Sequence, residues 1–147
     1  MSFTSLHGRR LGLARTGNLE GNGIQVTRPC VDASITVGAE NTNVRAITIQ
    51  LKDIEGNDID YVETFEIIMF LNAAMTSFVA TGGSTGLAIG TDGALLTVVA
   101  KKYFIATSES DGDWDGTWTD TGNEAAYLGV RLPNGRVIVS DALTNAT

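Results

Sequence analysis

Apolar and polar residues alternate over several short stretches of the chain, and two of these stretches flank a turn. From Ala46 to Lys52, isoleucine and leucine alternate with threonine, glutamine and lysine, a period of two that is typical of a strand with one buried face. The Glu-Gly-Asn-Asp sequence at 55–58 favours chain reversal, and a second apolar run follows from Tyr61 to Leu71. The pattern predicts a β-hairpin over 44–71, with its second strand in the centre of a sandwich.

Further short strands are predicted along the rest of the chain. Residues 127–140 have strand patterns on both sides of a Pro-Asn-Gly turn and predict a second hairpin. Residues 94–107 predict one long strand, broken or bulged near Lys101. An α-helix over 94–106 competes with that interpretation, but the branched and aromatic residues favour a strand. Eight or nine short strands without a convincing helix predict an all-β fold, and a β-sandwich rather than a closed barrel.

The first third of the chain has a different composition. Residues 1–43 are rich in Gly, Asn, Thr and Ser and carry too few apolar side chains for a core of their own. The sequence therefore predicts two parts, an extended N-terminal arm over 1–43 and a β-sandwich domain over 44–147. Within the arm, the piece near Ser34 to Val37 is the one that can join the sandwich. We expect the sandwich to fold without the arm.

Composition excludes several classes of protein. With one cysteine, Cys30, and one histidine, His7, the chain has neither an internal disulfide nor a Cys/His zinc site. No apolar run reaches the roughly 18 residues of a membrane span, and the first residues lack the pattern of a signal peptide. The net charge of −7 argues against a nucleic-acid partner, because phosphate contacts require clustered Lys and Arg. We expect synthesis in the cytoplasm and no membrane partner.

The charge is distributed unevenly. Residues 1–30 carry four arginines against one glutamate, whereas residues 109–124 carry six acidic residues and no basic one. A basic arm on an acidic domain indicates an arm that docks on an acidic surface, although such charge runs are also common on solvated faces.

Catalysis and phosphate binding find little support in the sequence. A Ser-His-Asp or Cys-His site would depend on His7, which lies in the arm, so we expect no enzyme. The Gly-rich stretch 81–86 lacks the Gly-Lys-Ser/Thr ending of a P-loop and precedes no predicted helix. A tight loop between strands is the better interpretation.

One stretch has a spacing that resembles a metal site. The sequence Asp-Gly-Asp-Trp-Asp-Gly at 111–116 matches the first six positions of an EF-hand loop, in which alternate carboxylates bind Ca²⁺. The match fails at position twelve, where Gly122 replaces the required glutamate. A solvated turn and a Ca²⁺ site formed by Asp111, Asp113 and Asp115 stay open as alternatives, and we expect no other cofactor.

Two tryptophans flank the same acidic stretch. Trp114 and Trp118 are four residues apart, so a strand would place them on one face. They can form an exposed platform that stacks on sugar rings, or Trp118 can pack in the core with Trp114 at the rim.

The chain resembles small structural proteins of tailed bacteriophages over nearly its whole length. The stretches that carry the resemblance are Leu-His-Gly-Arg-Arg-Leu-Gly-Leu at 6–13 with Gly-Asn-Leu at 17–19, the Gly-rich segments 80–86 and 90–93, and Leu-Pro-Asn-Gly-Arg-Val-Ile-Val-Ser at 132–140. The resemblance implies an immunoglobulin-like β-sandwich in a virion component that decorates or cements the capsid. It brings no catalytic residues.

This resemblance also implies a partner and a location. The partner would be the major capsid protein, bound through the N-terminal arm, and the chain would form a homo-oligomer, with a trimer favoured by analogy. The location would be the virion, assembled in the cytoplasm of the host bacterium. The arm residues expected to bind the capsid are Arg9, Arg10, Leu11, Leu13 and Arg15. A tail or fibre component and a carbohydrate-binding accessory domain are the alternatives.

Overall fold

A computed structural model describes residues 19–21, 24–26 and 28–146, and every helix or strand that it assigns in that part of the chain is a β-strand. No helix in these ranges is long and apolar enough to cross a membrane. The strands are β1 (Leu19–Gly21), β2 (Ile24–Val26), β3 (Asp32–Val37), β4 (Val44–Lys52), β5 (Thr64–Phe70), β6 (Gly86–Ile89), β7 (Ala94–Val99), β8 (Tyr103–Thr107), β9 (Asp113–Thr119), β10 (Tyr127–Arg131) and β11 (Val137–Ala142).

The strands form two larger antiparallel sheets and one small hairpin. One sheet has four strands in the order β3-β4-β9-β6, the other has five in the order β11-β10-β5-β8-β7, and β1 pairs with β2 alone. The two larger sheets pack face to face, and Phe65 of β5 meets Trp114 of β9 edge-on with ring centroids 6.4 Å apart. This arrangement confirms the predicted all-β class and immunoglobulin-like sandwich architecture.

The core follows from the alternation of apolar residues. On β4 and β5 every second side chain points inward, and each of these inner side chains is at most 2% exposed. Burying one such side chain contributes roughly 1.5–3 kcal/mol. The strand β5 lies between β10 and β8, which confirms its predicted central position. The inner residues of the two strands are Ile47, Ile49, Leu51, Phe65, Ile67 and Met69.

The predicted hairpin over 44–71 is wrong, because β4 and β5 belong to different sheets. The chain does reverse after β4, and Lys52 forms a bridge with Asp58. The buried carboxylate of Asp53 fixes this turn by accepting hydrogen bonds from the amides of Glu55 and Asn57. Beyond the turn the chain crosses to the other sheet.

Residues 94–107 form a hairpin rather than one long strand. The strands β7 and β8 pair in antiparallel fashion, with a bulge between Thr97 and Val99. The reversal takes place at Lys101, which has a φ of 62°, a conformation that is unusual for a residue with a side chain. Its ammonium group donates hydrogen bonds to the carbonyls of Gly83 and Ser84, which hold the turn against a neighbouring loop.

The four-stranded sheet begins inside the range that the sequence assigned to the arm. The strand β3 pairs with β4 from Asp32 to Val37, as the alternative for Ser34 to Val37 anticipated. It brings Ala33 into the core, next to the buried Cys30. The sandwich therefore includes chain that precedes residue 44.

Truncation tests whether the sandwich domain begins at residue 44, as the sequence predicts, or before β3. We expect a fragment 28–147 to melt cooperatively near the full-length transition, and a fragment 44–147 to lose its cooperative transition. The reason is that removal of β3 breaks one complete strand ladder, exposes the edge of β4 and takes Ala33 out of the core. Thermal melts followed by circular dichroism test this, and a cooperative melt of 44–147 near the full-length temperature would contradict it.

Candidate functional site

The residues predicted for capsid binding, and the two that a Cys-His site would require, fall into two groups. His7 and the arm residues Arg9, Arg10, Leu11, Leu13 and Arg15 lie outside the described residues. Cys30 lies inside them and is buried. Burial, followed by the charge of Glu63, raises the pKa of its thiol to about 11, so Cys30 is a poor nucleophile at neutral pH.

The two tryptophans do not form an exposed platform, because both indole rings are fully buried. They do lie on the same face of β9, but that face is the inner one. Trp114 donates its indole N–H to the carbonyl of Ala94 at 3.1 Å. Its ring occupies the space above Gly116, where a Cβ would lie 2.3 Å from the ring. The carbohydrate-binding alternative therefore loses the surface on which it was based.

The acidic stretch is largely strand rather than loop. Since β9 begins at Asp113, the carboxylates of Asp113 and Asp115 are both on the outer face of the four-stranded sheet. Asp92, from the turn between β6 and β7, joins them, and their oxygens lie within 4.8 Å of one another. Asp111 stays in the preceding turn and accepts a hydrogen bond from the amide of Asp113. The predicted triad thus contains two members of the observed cluster, and Asp92 replaces the third.

The cluster carries uncompensated negative charge. None of the ion pairs among the described residues includes its members, although the hydroxyls of Thr48 and Thr91 donate to Asp115 at 2.9 and 3.3 Å. Burial, and then the neighbouring carboxylates with Asp115 first, raise the pKa of Asp113. With one oxygen from each carboxylate, the cluster supplies three of the six to eight oxygens that Ca²⁺ takes. A Ca²⁺ ion here would need waters to complete its shell, and its binding stays a prediction.

The Gly-rich loop 81–86 surrounds an anion that belongs to the protein itself. The carboxylate of Glu124 accepts hydrogen bonds from the amides of Gly82 and Gly83 at 3.0 and 2.6 Å. It also accepts from the amide and hydroxyl of Thr81. Successive amides that converge in this way form an anion-binding concavity. The carboxylate of Glu124 fills this concavity.

Comparison with known proteins gives a limited result. No protein-family model and no curated protein matches the chain. Among solved structures, the chain is similar to a cohesin module from a family 33 glycoside hydrolase of Clostridium perfringens ATCC13124, with 13% identity and a TM-score of 0.42. The match covers 79% of this chain and 96% of that module. A likeness of this degree assigns no function.

The outer faces of the two sheets differ sharply in polarity. On the four-stranded sheet, the residues that alternate with the core are mostly polar or charged. On the five-stranded sheet, the strand registers place mainly apolar residues outward. We call this surface the apolar outer face, and it consists of Ile68, Phe70, Leu96, Val99, Tyr103, Ile105, Tyr127 and Val139. Phe78, which is 53% exposed, forms a bridge with Phe70 and extends it.

The charges near the centre of this face neutralise each other. Glu66 of β5 forms an ion pair with Arg131 of β10 at 3.2 Å and accepts a hydrogen bond from the hydroxyl of Tyr103. Beside this pair, a shallow pocket of about 270 Å³ is lined by side chains that include Ile105 and Leu132. Apolar surface around a compensated ion pair is typical of a protein-binding site rather than of a solvated face.

The sequence contained a signal for the apolar outer face. The second half of β5 is apolar on both sides of the strand, a pattern that predicts a central position in the sandwich. Ile68 and Phe70 do lie on a central strand, but their side of the sheet has no covering layer among the described residues.

The tie between Glu124 and the loop makes stability depend on pH. Burial alone would raise the pKa of Glu124, but the hydrogen bonds from Thr81, Gly83 and Gly82 outweigh it, so the pKa is lower in the folded state than in the unfolded one. This stabilisation is therefore present above the unfolded pKa of about 4.3 and is lost as the pH falls through the folded pKa. We expect Glu124→Gln to cost about 2 kcal/mol at pH 7.

Urea unfolding at pH 7 and pH 3 measures this effect. The difference in unfolding free energy between wild type and Glu124→Gln should shrink at the lower pH. Asp60→Asn is the matched control, because Asp60 is exposed. A difference that stays constant with pH would show that the charge of Glu124 does not hold the loop.

The acidic cluster generates a second stability prediction. Because the folded-state pKa of Asp113 is raised, ionisation of this group lowers stability as the pH rises through the interval between its unfolded and folded pKa values. Above the folded-state pKa that cost is fully present. Asp113→Asn should therefore raise the melting temperature in EDTA by a few degrees, roughly the equivalent of 1 kcal/mol.

The effect of EDTA on the melting temperature of the wild type tests whether the cluster binds Ca²⁺. We expect EDTA to lower the wild-type melting temperature by less than about 5 °C. A larger decrease, abolished in Asp113→Asn, would identify the carboxylates as ligands and contradict the solvated interpretation. Asp141→Asn changes an exposed carboxylate outside the cluster and serves as the control.

Proposed function

We propose that this chain is a non-catalytic structural protein of a tailed-bacteriophage virion, most specifically a decoration protein of the head. The observation that carries the proposal is the contrast between the two outer faces of the sandwich. The apolar outer face suits permanent contact with another protein, and the acidic cluster lies on the opposite sheet. The sequence resemblance supplies the setting in which such contact would take place.

The contrast gives the protein a defined orientation on its partner. The apolar outer face would lie against the major capsid protein, where its exposed side chains leave water. The outer face of the four-stranded sheet, with Asp92, Asp113 and Asp115, would then point to solvent. A chain of net charge −7 that presents carboxylates outward would keep particles apart by mutual repulsion.

The N-terminal arm completes the proposed attachment. Its sequence combines Arg9, Arg10 and Arg15 with Leu11 and Leu13, so guanidinium groups would pair with capsid carboxylates while leucines add apolar contact. The arm would anchor the protein, and the apolar outer face would add area to the interface. The bound form would be a homo-oligomer.

Binding to undecorated heads of the phage that encodes the chain tests the proposal. Phe78→Lys places a charge on the apolar outer face, and we expect it to weaken binding about tenfold or more. Val62→Lys is the matched control, because Val62 is 56% exposed, close to the 53% of Phe78, and lies before β5. Removal of residues 1–20 should reduce saturation of the heads.

Each outcome has a distinct meaning. If the truncated protein saturates heads with unchanged affinity, the arm is not the anchor. If Phe78→Lys behaves like Val62→Lys, the apolar outer face is not part of the interface. Binding to purified tails instead of heads would support a tail or fibre component, and specific binding on a glycan array would support the carbohydrate-binding alternative.

A further inference from the structure

The indole N–H of Trp118 is buried and has no hydrogen-bond partner among the described residues. The other indole differs in this respect, because Trp114 donates its N–H to the carbonyl of Ala94. A buried N–H without an acceptor carries a free-energy penalty that contact with water would remove. Other interactions in the folded protein must therefore offset the penalty at Trp118.

The Gly-rich loop 81–86 lies against this indole. A Cβ on Gly83 would lie 3.0 Å from both Cζ2 and Cη2 of Trp118. Cζ2 is on the same edge of an indole as Nε1, so the backbone of Gly83 approaches the side of the ring that carries the unpaired N–H. The φ values of Gly82, Gly83 and Gly86 are 87°, 74° and 88°, and ordering three glycines costs much conformational entropy. The loop covers the indole at a cost and supplies no acceptor to it.

Charged side chains hold the loop in this position from two sides. Glu124 accepts four hydrogen bonds from the loop, three of them at Oε2. Asp120 accepts a further one from the amide of Ser84 at 3.2 Å. On the other side, the ammonium group of Lys101 donates to the carbonyls of Gly83 and Ser84 at 2.9 and 2.8 Å. Two carboxylates and one ammonium group thus face the loop in the described part of the chain.

Protonation of Glu124 would weaken this hold, because a protonated carboxyl has an O–H donor where the carboxylate had an acceptor. A proton on Oε2 would face three donors of the loop, and a proton on Oε1 would face the amide of Thr81. The hydrogen bonds from the loop outweigh burial and lower the pKa of Glu124. The hold is therefore complete above the unfolded pKa of about 4.3 and is lost as the pH falls through the folded pKa.

The chain on both sides of the loop is fixed independently of Glu124. Before the loop, Val79 is fully buried and its amide donates to the carbonyl of Met69. After it, the ladder between β6 and β9 runs from Gly86 to Ile89. Loss of the hydrogen bonds to Glu124 would therefore release residues 80–85 and leave the two sheets intact.

We propose that the loop 81–86 is a proton-operated lid over Trp118. With Glu124 ionised the lid is closed, and with Glu124 protonated it opens and water reaches the indole N–H. The opening is local, so it precedes unfolding of the sandwich. This inference stands apart from the proposed function, because it concerns the isolated protein in solution and involves no partner.

Hydrogen exchange of the two indole protons, followed by NMR on the full chain at pH 7, tests the proposal. Glu124→Gln keeps the shape of the side chain but replaces one acceptor oxygen with an amide donor. We expect this variant to speed exchange at Trp118 about tenfold or more and to leave exchange at Trp114 unchanged. Glu109→Gln is the matched control, because Glu109 also accepts a hydrogen bond from a glycine amide, that of Gly93 at 3.1 Å. It should leave the rate at Trp118 unchanged.

Two results with Glu124→Gln would overturn the proposal. Equal acceleration of both indole protons would show a general loss of stability rather than the opening of a lid. An unchanged rate at Trp118 would show that the loop stays closed without the carboxylate.

Acid titration of the wild type provides a second measurement that needs no variant. Between pH 7 and pH 3, the indole signal of Trp118 should shift with a midpoint below about 4.3, before the far-UV circular dichroism and the signal of Trp114 change. Glu124→Gln, which retains Asp120, should lack this step, which would assign it to Glu124. A Trp118 signal that moves only with global unfolding, or a step that persists in Glu124→Gln, would contradict the lid.

Discussion

The packing of β9 against the opposite sheet is the constraint on which the rest of the sandwich depends. Trp114 projects inward to the edge of Phe65 and donates its indole N–H to Ala94 at the start of β7. One side chain therefore contacts both sheets. The large ring fits only because Gly116, the next inward position on its own strand, has no Cβ. Fully buried aromatic side chains contribute more to a core than any other residue type, and here the glycine is as necessary as the ring.

The same strand determines what each face of the sandwich offers. Because Trp114 and Trp118 use the inner side of β9, the aspartates between and beside them must use the outer side. The four-stranded sheet thus receives an acidic exterior as a direct consequence of its aromatic interior. The five-stranded sheet has no such alternation on β5, where Ile68 and Phe70 continue the apolar pattern outward. The difference in polarity between the two outer faces follows from these two strands.

The sequence predicted the strands well and their long-range arrangement poorly. A period of two identifies the buried faces of β4 and β5, and a Pro-Asn-Gly turn identifies the hairpin of β10 and β11. These local patterns do not reveal whether a turn joins two strands of the same sheet or two strands of different sheets. The sequence therefore did not predict that the chain crosses to the other sheet after Asp53. The reversal at Lys101 was missed because its positive φ depends on carbonyls of a distant loop. Asp92 joined the acidic cluster from 21 residues before Asp113, a proximity that local spacing does not encode.

The hydrogen bonds of Glu124 to the loop at Thr81 to Gly83 connect positions about 40 residues apart in a chain with a single cysteine. A covalent cross-link between such positions would reduce the conformational entropy of the unfolded chain. The carboxylate cannot do that, because it releases the loop on unfolding, but it does join two distant segments of the folded protein without sulfur chemistry. Its strength is therefore indifferent to reductants and oxidants and responds to protons instead. Protonation of Glu124 at low pH, rather than reduction by a thiol, would release this link between the two segments.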